Sequence, residues 1–307
     1  MATTFYAKQA KANGSAFLTD MARFLINDLS GFTGPGWTIV DTYSSAAGTP
    51  HEVPGTATDM DSLAADNGWR TGTIVAGDYI ILANNNVSYP FQLGIEYQST
   101  TEFKFIVAPK SGFVTGNDDN DMTAAGNWGE VKLATLTYTH LNSTANYSLI
   151  ADEDHVKVLM EKWPTVYFTY LGLPDTTNLH TGDAYPALYY TEEAQVYLSD
   201  SYILGDKYRR ISPVDDTTII AITGNTAVYR NYGLDAASLE HELFPIRLTC
   251  ITAGHYGEMG ILKGMYSTST YIGNGSKGTL DSKNYAYISS AISGTPVAFD
   301  WDGSTDL

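Results

Sequence analysis

Cysteine is almost absent: Cys250 stands alone in 307 residues. No disulfide can close within this chain, and its design does not depend on an oxidising compartment. Charge is scarce too. Asp, Glu, Lys and Arg together make up 17% of the residues, and 17 basic side chains face 34 acidic ones, for a formal net charge of −17. Phosphate backbones are gripped by clustered Lys and Arg, so nucleic acid is excluded as an expected partner. An anionic membrane surface is excluded on the same ground. No apolar run approaches the roughly 18 residues of a membrane span. The opening MATTFYAKQAKANGS has no apolar stretch of signal-peptide length. Without a secretion signal, the N-x-S/T triplets at Asn86, Asn142 and Asn146 carry no expectation of glycosylation.

What is present is apolar and aromatic. Hydrophobic residues are 43% of the chain, which argues against disorder, and the length allows a large core. With so few charges, the polar surface must come from Thr, Ser, Asn, Gly and Tyr. The 22 tyrosines admit two readings. Tyr offers a broad apolar face and one hydrogen-bonding tip, which suits half-wet contacts with protein or sugar. It is also simply a favoured strand residue.

Periodicity gives few helices. Phe17, Met21, Phe24 and Leu25 recur at helical spacing, and Leu18 and Leu29 extend the stripe. The pattern predicts a helix over Ser15–Leu29, capped by Asn13 or Ser15 and ended by Gly31. A short helix is expected over Asp59–Ala65, with Thr58 and Asp61 as a variant capping box. Strands are expected at Trp37–Asp41, Phe91–Tyr97, Glu102–Ala108, Leu133–Tyr138, Trp163–Tyr170, Ile219–Ile222 and Ile246–Thr252. Trp69–Val75 and Asp78–Ala83 read as a hairpin around Ala76-Gly77. His155–Trp163 reads as helix or strand: the triplet Asp152-Glu153-Asp154 suits a helix N-terminus, and Val156 and Val158 favour a strand. The expected class is mainly β with a few short helices (α+β), in an antiparallel, sandwich-like architecture. A division, if there is one, falls near Ile150. That gives 1–150 as a helix plus antiparallel β domain and 151–307 as an aromatic-rich β domain, or one continuous unit.

Patterns that carry chemistry are tested in turn. Gly273-Asn-Gly275-Ser-Lys-Gly278 matches G-x-G-x-x-G, but a dinucleotide site needs a helix to start within it, and more strand follows here. The reading is a hairpin turn. None of the six histidines lies in an H-x-H or H-E-x-x-H array; Pro245 breaks the helix that would carry a partner for His241. Asp118, Asp119 and Asp121 lack the glycine and distal glutamate of an EF-hand loop, so a solvated acidic loop over Gly116–Gly129 is expected, with a weak Ca²⁺ or Mg²⁺ site as the alternative. No G-x-S-x-G elbow is present. Cys250, flanked by RLT and ITA, reads as a buried thiol. No catalytic residue, metal ligand or cofactor is therefore expected, and the chain reads as a non-enzyme. Aromatics crowd one region, with Tyr167, Tyr170, Tyr185, Tyr189 and Tyr190 among them, and could anchor an interface or stack on sugars.

Three segments carry a resemblance. Tyr167-Phe-Thr-Tyr-Leu-Gly172 leads to Tyr185-Pro-Ala-Leu-Tyr189. Leu243-Phe-Pro-Ile-Arg-Leu248 follows. Gly257-Glu-Met-Gly260 then runs through Lys263-Gly-Met-Tyr266 to Asn284-Tyr-Ala-Tyr287-Ile288. In order and spacing the chain resembles virion structural proteins encoded in the tail gene clusters of tailed bacteriophages. Trp37-Thr-Ile-Val40 and Ala76-Gly-Asp-Tyr79 fit the same pattern. Two departures stand out: Ile261-Leu262 widens the apolar step of the late hairpin, and Asp200–Tyr232 matches nothing. The resemblance implies a multi-copy tail or baseplate component, made and assembled in the host cytoplasm. Its partners would be other copies of itself in a ring and neighbouring tail, baseplate or neck proteins. It defines no catalytic residues. A neck or collar component, a carbohydrate- or receptor-binding module and a polysaccharide hydrolase are the alternatives. With the aromatic cluster it makes Tyr167, Tyr170, Tyr185, Tyr189, Tyr190, Met265, Tyr266, Tyr285 and Tyr287 candidates for a subunit boundary or the adjoining core.

Overall fold

The computed structural model describes residues 4–11, 13–52, 59–88, 90–100, 102–109, 113, 122, 133–137, 145–162, 165–173, 188–191, 194–196, 208–211, 220–223, 243–252, 255–268, 277–280, 282–288 and 297–302. The chain opens with β1 (Phe5–Lys11), α1 (Gly14–Leu25), β2 (Thr38–Tyr43) and β3 (His51–Glu52). A 3-10 turn (Met60–Ser62) and α2 (Gly68–Thr71) precede β4 (Tyr79–Ala83), β5 (Phe91–Tyr97), β6 (Glu102–Pro109) and β7 (Leu133–Thr137). Then come β8 (Ala145–Ala151), β9 (His155–Lys162), β10 (Thr165–Gly172), β11 (Leu188–Thr191), β12 (Ala194–Val196) and β13 (Tyr208–Ile211). The last group is β14 (Ile220–Thr223), β15 (Leu243–Thr252), β16 (His255–Thr268), β17 (Lys277–Leu280), β18 (Lys283–Ile288) and β19 (Val297–Trp301). The fold is mainly β with two α-helices among the described residues.

Three sheets result. The front sheet has the order β3-β2-β4-β5-β6-β7. The middle sheet has β1-β8-β9-β10-β11-β13, with β12 also on β10. The rear sheet has β14-β15-β16-β19-β18-β17. All pairings among the described residues are antiparallel.

Helix α1 forms the centre of the first core. Asn13 Oδ1 accepts the Ala16 amide at 2.9 Å and starts the helix. Its end comes earlier than the sequence predicts, at Leu25 rather than Leu29. Asn27 adopts φ 65°; its amide donates to Phe24 O at 3.1 Å, and the Asp28 amide to Arg23 O at 2.7 Å. This is a Schellman closure with Asn, rather than the expected Gly31, in the left-handed position. Phe17, Leu18, Met21, Phe24 and Leu25 are all buried. They pack between the front sheet, through Ile80, Leu82, Leu93, Ile95, Phe103, Phe105 and Val107, and the middle sheet, through Ala7, Tyr147, Leu149, Val156, Val158 and Leu171. Each buried side chain of this size contributes about 1.5–3 kcal/mol. On the opposite face of the front sheet Tyr79, Ile81 and Ile106 form a second buried cluster with Phe113 and Met122.

The alternation of Phe103, Phe105 and Val107 places all three in this core, as expected. Other expectations fail for local reasons. Trp69–Val75 is not a strand: Asn67 Oδ1 accepts the Trp69 amide at 2.9 Å and starts the helical turn α2, which Gly72 ends at φ 75°. A capping Asn offers the backbone an alternative to the ladder, so β4 pairs with β2 and β5 instead. The helix expected over Asp59–Ala65 is only the 3-10 turn, capped by Asp59. Phe5–Lys11, without clean alternation, is a strand because β8 supplies its hydrogen bonds. His155–Lys162 is strand. Residue 150 lies inside β8, between β1 and β9, and the first core continues to Leu173. The acidic loop over Gly116–Gly129 lies, apart from Met122, outside the described residues.

Phe17 touches both sheets at once. Its ring lies 5.9 Å from that of Phe103 in the front sheet and 5.0 Å, edge-on, from that of Tyr147 in the middle sheet. We predict that Phe17→Ala lowers the unfolding free energy by about 3–5 kcal/mol. Val87→Ala, at a position 94% exposed, should leave it within about 0.5 kcal/mol of wild type. Urea titration of both variants checks this. Equal effects would mean that α1 is not the wedge of the core.

Candidate functional site

A buried polar arrangement surrounds the tip of the β8–β9 hairpin. Asp152, Glu153, Asp154 and His155 make a tight turn, closed by the Asp152 amide donating to His155 O at 3.1 Å. Asp152 Oδ1 accepts the amides of Asp154 at 2.8 Å and His155 at 3.1 Å. Aspartate favours turns by this kind of side-chain closure. The acidic triplet is thus a turn at the head of a strand, not a helix N-terminus.

The front sheet and its loops hold the turn from one side. Trp37 Nε1 donates to Asp152 O at 3.0 Å. Asn84 Nδ2 donates to Glu153 O at 2.9 Å, and Asn86 Nδ2 to Asp154 Oδ1 at 2.5 Å. At the end of β10, the Leu173 amide donates to Asp154 O at 2.8 Å. Gly172 is required here: its φ is 128°, and a Cβ would lie 2.4 Å from Asp154 O.

The rear sheet holds it from the other side. Strand parity turns Tyr6, Ile150, His155, Lys157 and Tyr170 away from the first core, and Lys157 meets β16 there. Between Pro245↔Tyr266 and Arg247↔Ile261 the register shifts, because β16 carries extra residues there. This is a bulge, and Ile261-Leu262, the departure noted in the sequence, lies in it. Lys263 and Gly264 lie in the same bulge, with Gly264 at φ 63°. Lys263 Nζ stands 2.5 Å from Asp152 Oδ2 and 3.7 Å from Asp154 Oδ2. Lys157 Nζ donates to Lys263 O at 2.8 Å and to Gly264 O at 3.3 Å. The φ of 63° at Gly264 favours glycine, and a Cβ there would crowd the side-chain ends of Lys157, 2.6 Å from Nζ, and Asp300, 2.7 Å from Oδ2. Further along the seam, Tyr6 meets Trp301 edge-on at 6.3 Å. Burial, with help from Asp300 and Asp302, pushes the Tyr6 hydroxyl up to about 12.

His155 lies flat on Tyr170, ring centres 4.7 Å apart and planes 6° from parallel. Its Nδ1 is 3.0 Å from Asp152 Oδ1. That approach is off hydrogen-bond geometry, and Nε2 has no hydrogen-bond partner. Burial pushes the imidazole below its ordinary value, and Lys157 and Lys263 add to the shift against the pull of Asp152. The ring is therefore neutral at pH 7. Burial alone would raise the Asp152 carboxyl, yet His155 and Lys263 hold it well below the usual carboxylate range. With the imidazole neutral, Lys263 is the partner that keeps Asp152 ionised.

Asp, His and Lys in contact could in principle move protons. Here Asp152 is 0% exposed and His155 1%, while Lys263 keeps 22% of its side-chain surface exposed. The arrangement fastens three sheets at one point. No group of three or more His, Cys, Asp or Glu side chains is placed to hold a metal among the described residues. Among them, too, no helix is long and apolar enough to cross a membrane.

The residues singled out in the sequence fall near this seam and beyond it. Tyr170 is wholly buried, with its hydroxyl donating to Leu173 O at 2.6 Å. Tyr285 is buried and meets the half-buried Tyr266 edge-on at 5.6 Å. Tyr167 lies in β10 opposite Met160 and Gln195, and Tyr189 and Tyr190 in β11 opposite Gly172 and Leu171. Met265 pairs with Phe299 and Tyr287 with Ala298. Tyr185 is outside the described residues. Within the G-x-G-x-x-G match the chain enters strand β17 at Lys277, where a phosphate loop needs a helix. Sequence reasoning misses Asp152, His155, Lys157 and Lys263 as a group. The available signal is a lysine at 157, between valines, on the same strand face as a histidine. A scan against protein-family models finds no match, and a comparison with curated proteins finds none.

The His155 shift sets a pH dependence. Above its ordinary value of 6.5, both folded and unfolded chains hold a neutral imidazole. Below it, the unfolded chain takes up a proton that the folded one refuses, so stability falls as pH drops. Asp152 acts in a separate window: its contribution is lost only below its ordinary 3.8. Urea unfolding between pH 7.5 and 5.5 should show a loss approaching about 1.4 kcal/mol per pH unit at the acid end. His155→Phe should flatten that limb. A slope unchanged in the variant would place the titration elsewhere.

Proposed function

We propose that this chain is a structural subunit of a tailed-bacteriophage virion, a multi-copy component of the tail or baseplate. The reading rests on the three spaced segments that resemble virion proteins of tail gene clusters. One observation ties that resemblance to the structure. The late segment, Gly257 to Ile288, contains the Lys263-Gly264 bulge, whose charged and backbone groups are used to fasten the rear sheet to the middle one. A subunit that holds its place in a particle needs its sheets locked together, and a solvent-facing charge set would not provide that. Association would come from aromatic anchors on the surfaces left over, closed by the symmetry of a ring.

Mass spectrometry of purified particles, followed by labelling with an antibody to this chain in electron micrographs, tests the proposal. The expected result is a stoichiometric virion component, with label at a fixed position on the tail. Absence from particles that are otherwise complete would sink it. Saturable binding of host-surface glycans by a chain missing from the particle would favour the carbohydrate-binding alternative.

A further inference from the structure

Asp152 is set up to be attacked at its carboxyl carbon. Two fixed backbone amides, those of Asp154 and His155, point at Oδ1 from 2.8 and 3.1 Å. Donors held on one oxygen stabilise the charge that gathers there when a nucleophile adds to the carbon. The other oxygen, Oδ2, is buried and paired with Lys263, whose Nζ stands 2.5 Å from it. The fold keeps the two groups there. Asp152 is fixed by its turn and by Trp37, and Lys263 by a bulge whose carbonyls Lys157 grips. Positioning of this kind replaces the encounter between two reactants. A second carboxylate, Asp154 Oδ2, lies 3.7 Å from the same nitrogen.

We propose that Lys263 and Asp152 condense without added reagents into an intramolecular isopeptide bond, a covalent tie between the rear and middle sheets. Lys263 first passes one ammonium proton, by way of Asp154, to Asp152 Oδ2, leaving a neutral amine beside a protonated carboxylic acid. The freed lone pair on Nζ forms a bond to Asp152 Cγ, and charge gathers on Oδ1 under the two amides. The Cγ–Oδ2 bond then breaks, and Oδ2 leaves as water. Of the three protons on the starting ammonium, two depart with that water and one stays on the amide nitrogen. One positive and one negative charge become a neutral amide, so no outside acid, base or oxidant is needed. The direction follows from burial. An ammonium and a carboxylate between two sheets both carry a desolvation penalty, and the amide carries none of that charge. His155 on Tyr170 walls off one side, and the 22% of the Lys263 side-chain surface that stays exposed gives the water a way out.

The inference stands apart from the proposed virion role and is tested by mass. The full chain, purified folded and then measured intact under denaturing conditions, should be lighter than its sequence by one water molecule. Trypsin should fail to cut after Lys263, and a branched peptide pair containing Lys263 and Asp152 should replace the two linear ones. Lys263→Arg keeps the positive charge but removes the nucleophilic amine, so this variant should return to full mass. The readout does not depend on how well the variant folds. Full mass in the wild-type chain with normal cleavage after Lys263 would overturn the proposal. So would a water loss that maps to other residues or persists in Lys263→Arg.

Discussion

The Asp152 carboxylate and the turn it closes are what the arrangement of sheets depends on. One oxygen shapes the turn by accepting two amides, and the other meets Lys263 from the rear sheet. The same residue's carbonyl receives Trp37 beside the front sheet. Three sheets thus converge on one residue that is 0% exposed. A buried carboxylate is costly unless its charge is matched and its lone pairs are used. That cost makes the joint specific: a displaced β16 would leave an unmatched charge in the interior. The two glycines nearest the joint follow from the same constraint. Gly172 lets β10 close on the turn, and Gly264 lets the bulge approach Lys157 and Asp300.

Much of the surrounding architecture can be read from local pattern. Alternation in EFKFIVAP places Phe103, Phe105 and Val107 on one face, and the helical stripe of Phe17, Met21 and Phe24 places α1 against it. The class, mainly β and antiparallel, follows from such segments. Local chemistry misleads where a side chain has a choice of backbone partner. Asn27 takes the left-handed position and shortens α1, and Asn67 caps a helical turn in place of a strand. Both are short polar side chains that compete with the regular ladder.

The joint itself is not legible, because the residues that build it are far apart in the chain. Lys157 and Lys263 are 106 residues apart, and no spacing rule connects them. The acidic triplet resembles a helix start because charge near a helix N-terminus is a common use of Asp and Glu. Only the return of β16, with its bulge, gives Asp152 the lysine that explains it. The glycine-rich stretch from Gly257 is recognisable as strands without catalytic pattern. Its Lys-Gly step, unexceptional in sequence, is the element that reaches another sheet.

The central claim is that the Asp152 turn couples the rear sheet to the middle one. Hydrogen exchange read by mass spectrometry on wild type and Asp152→Ala tests it most directly. The account predicts that amides of β8, β9, β16 and β19 lose protection together in the variant, while β4, β5 and β6 of the front sheet keep theirs. Unchanged protection in β16 and β19 would contradict it.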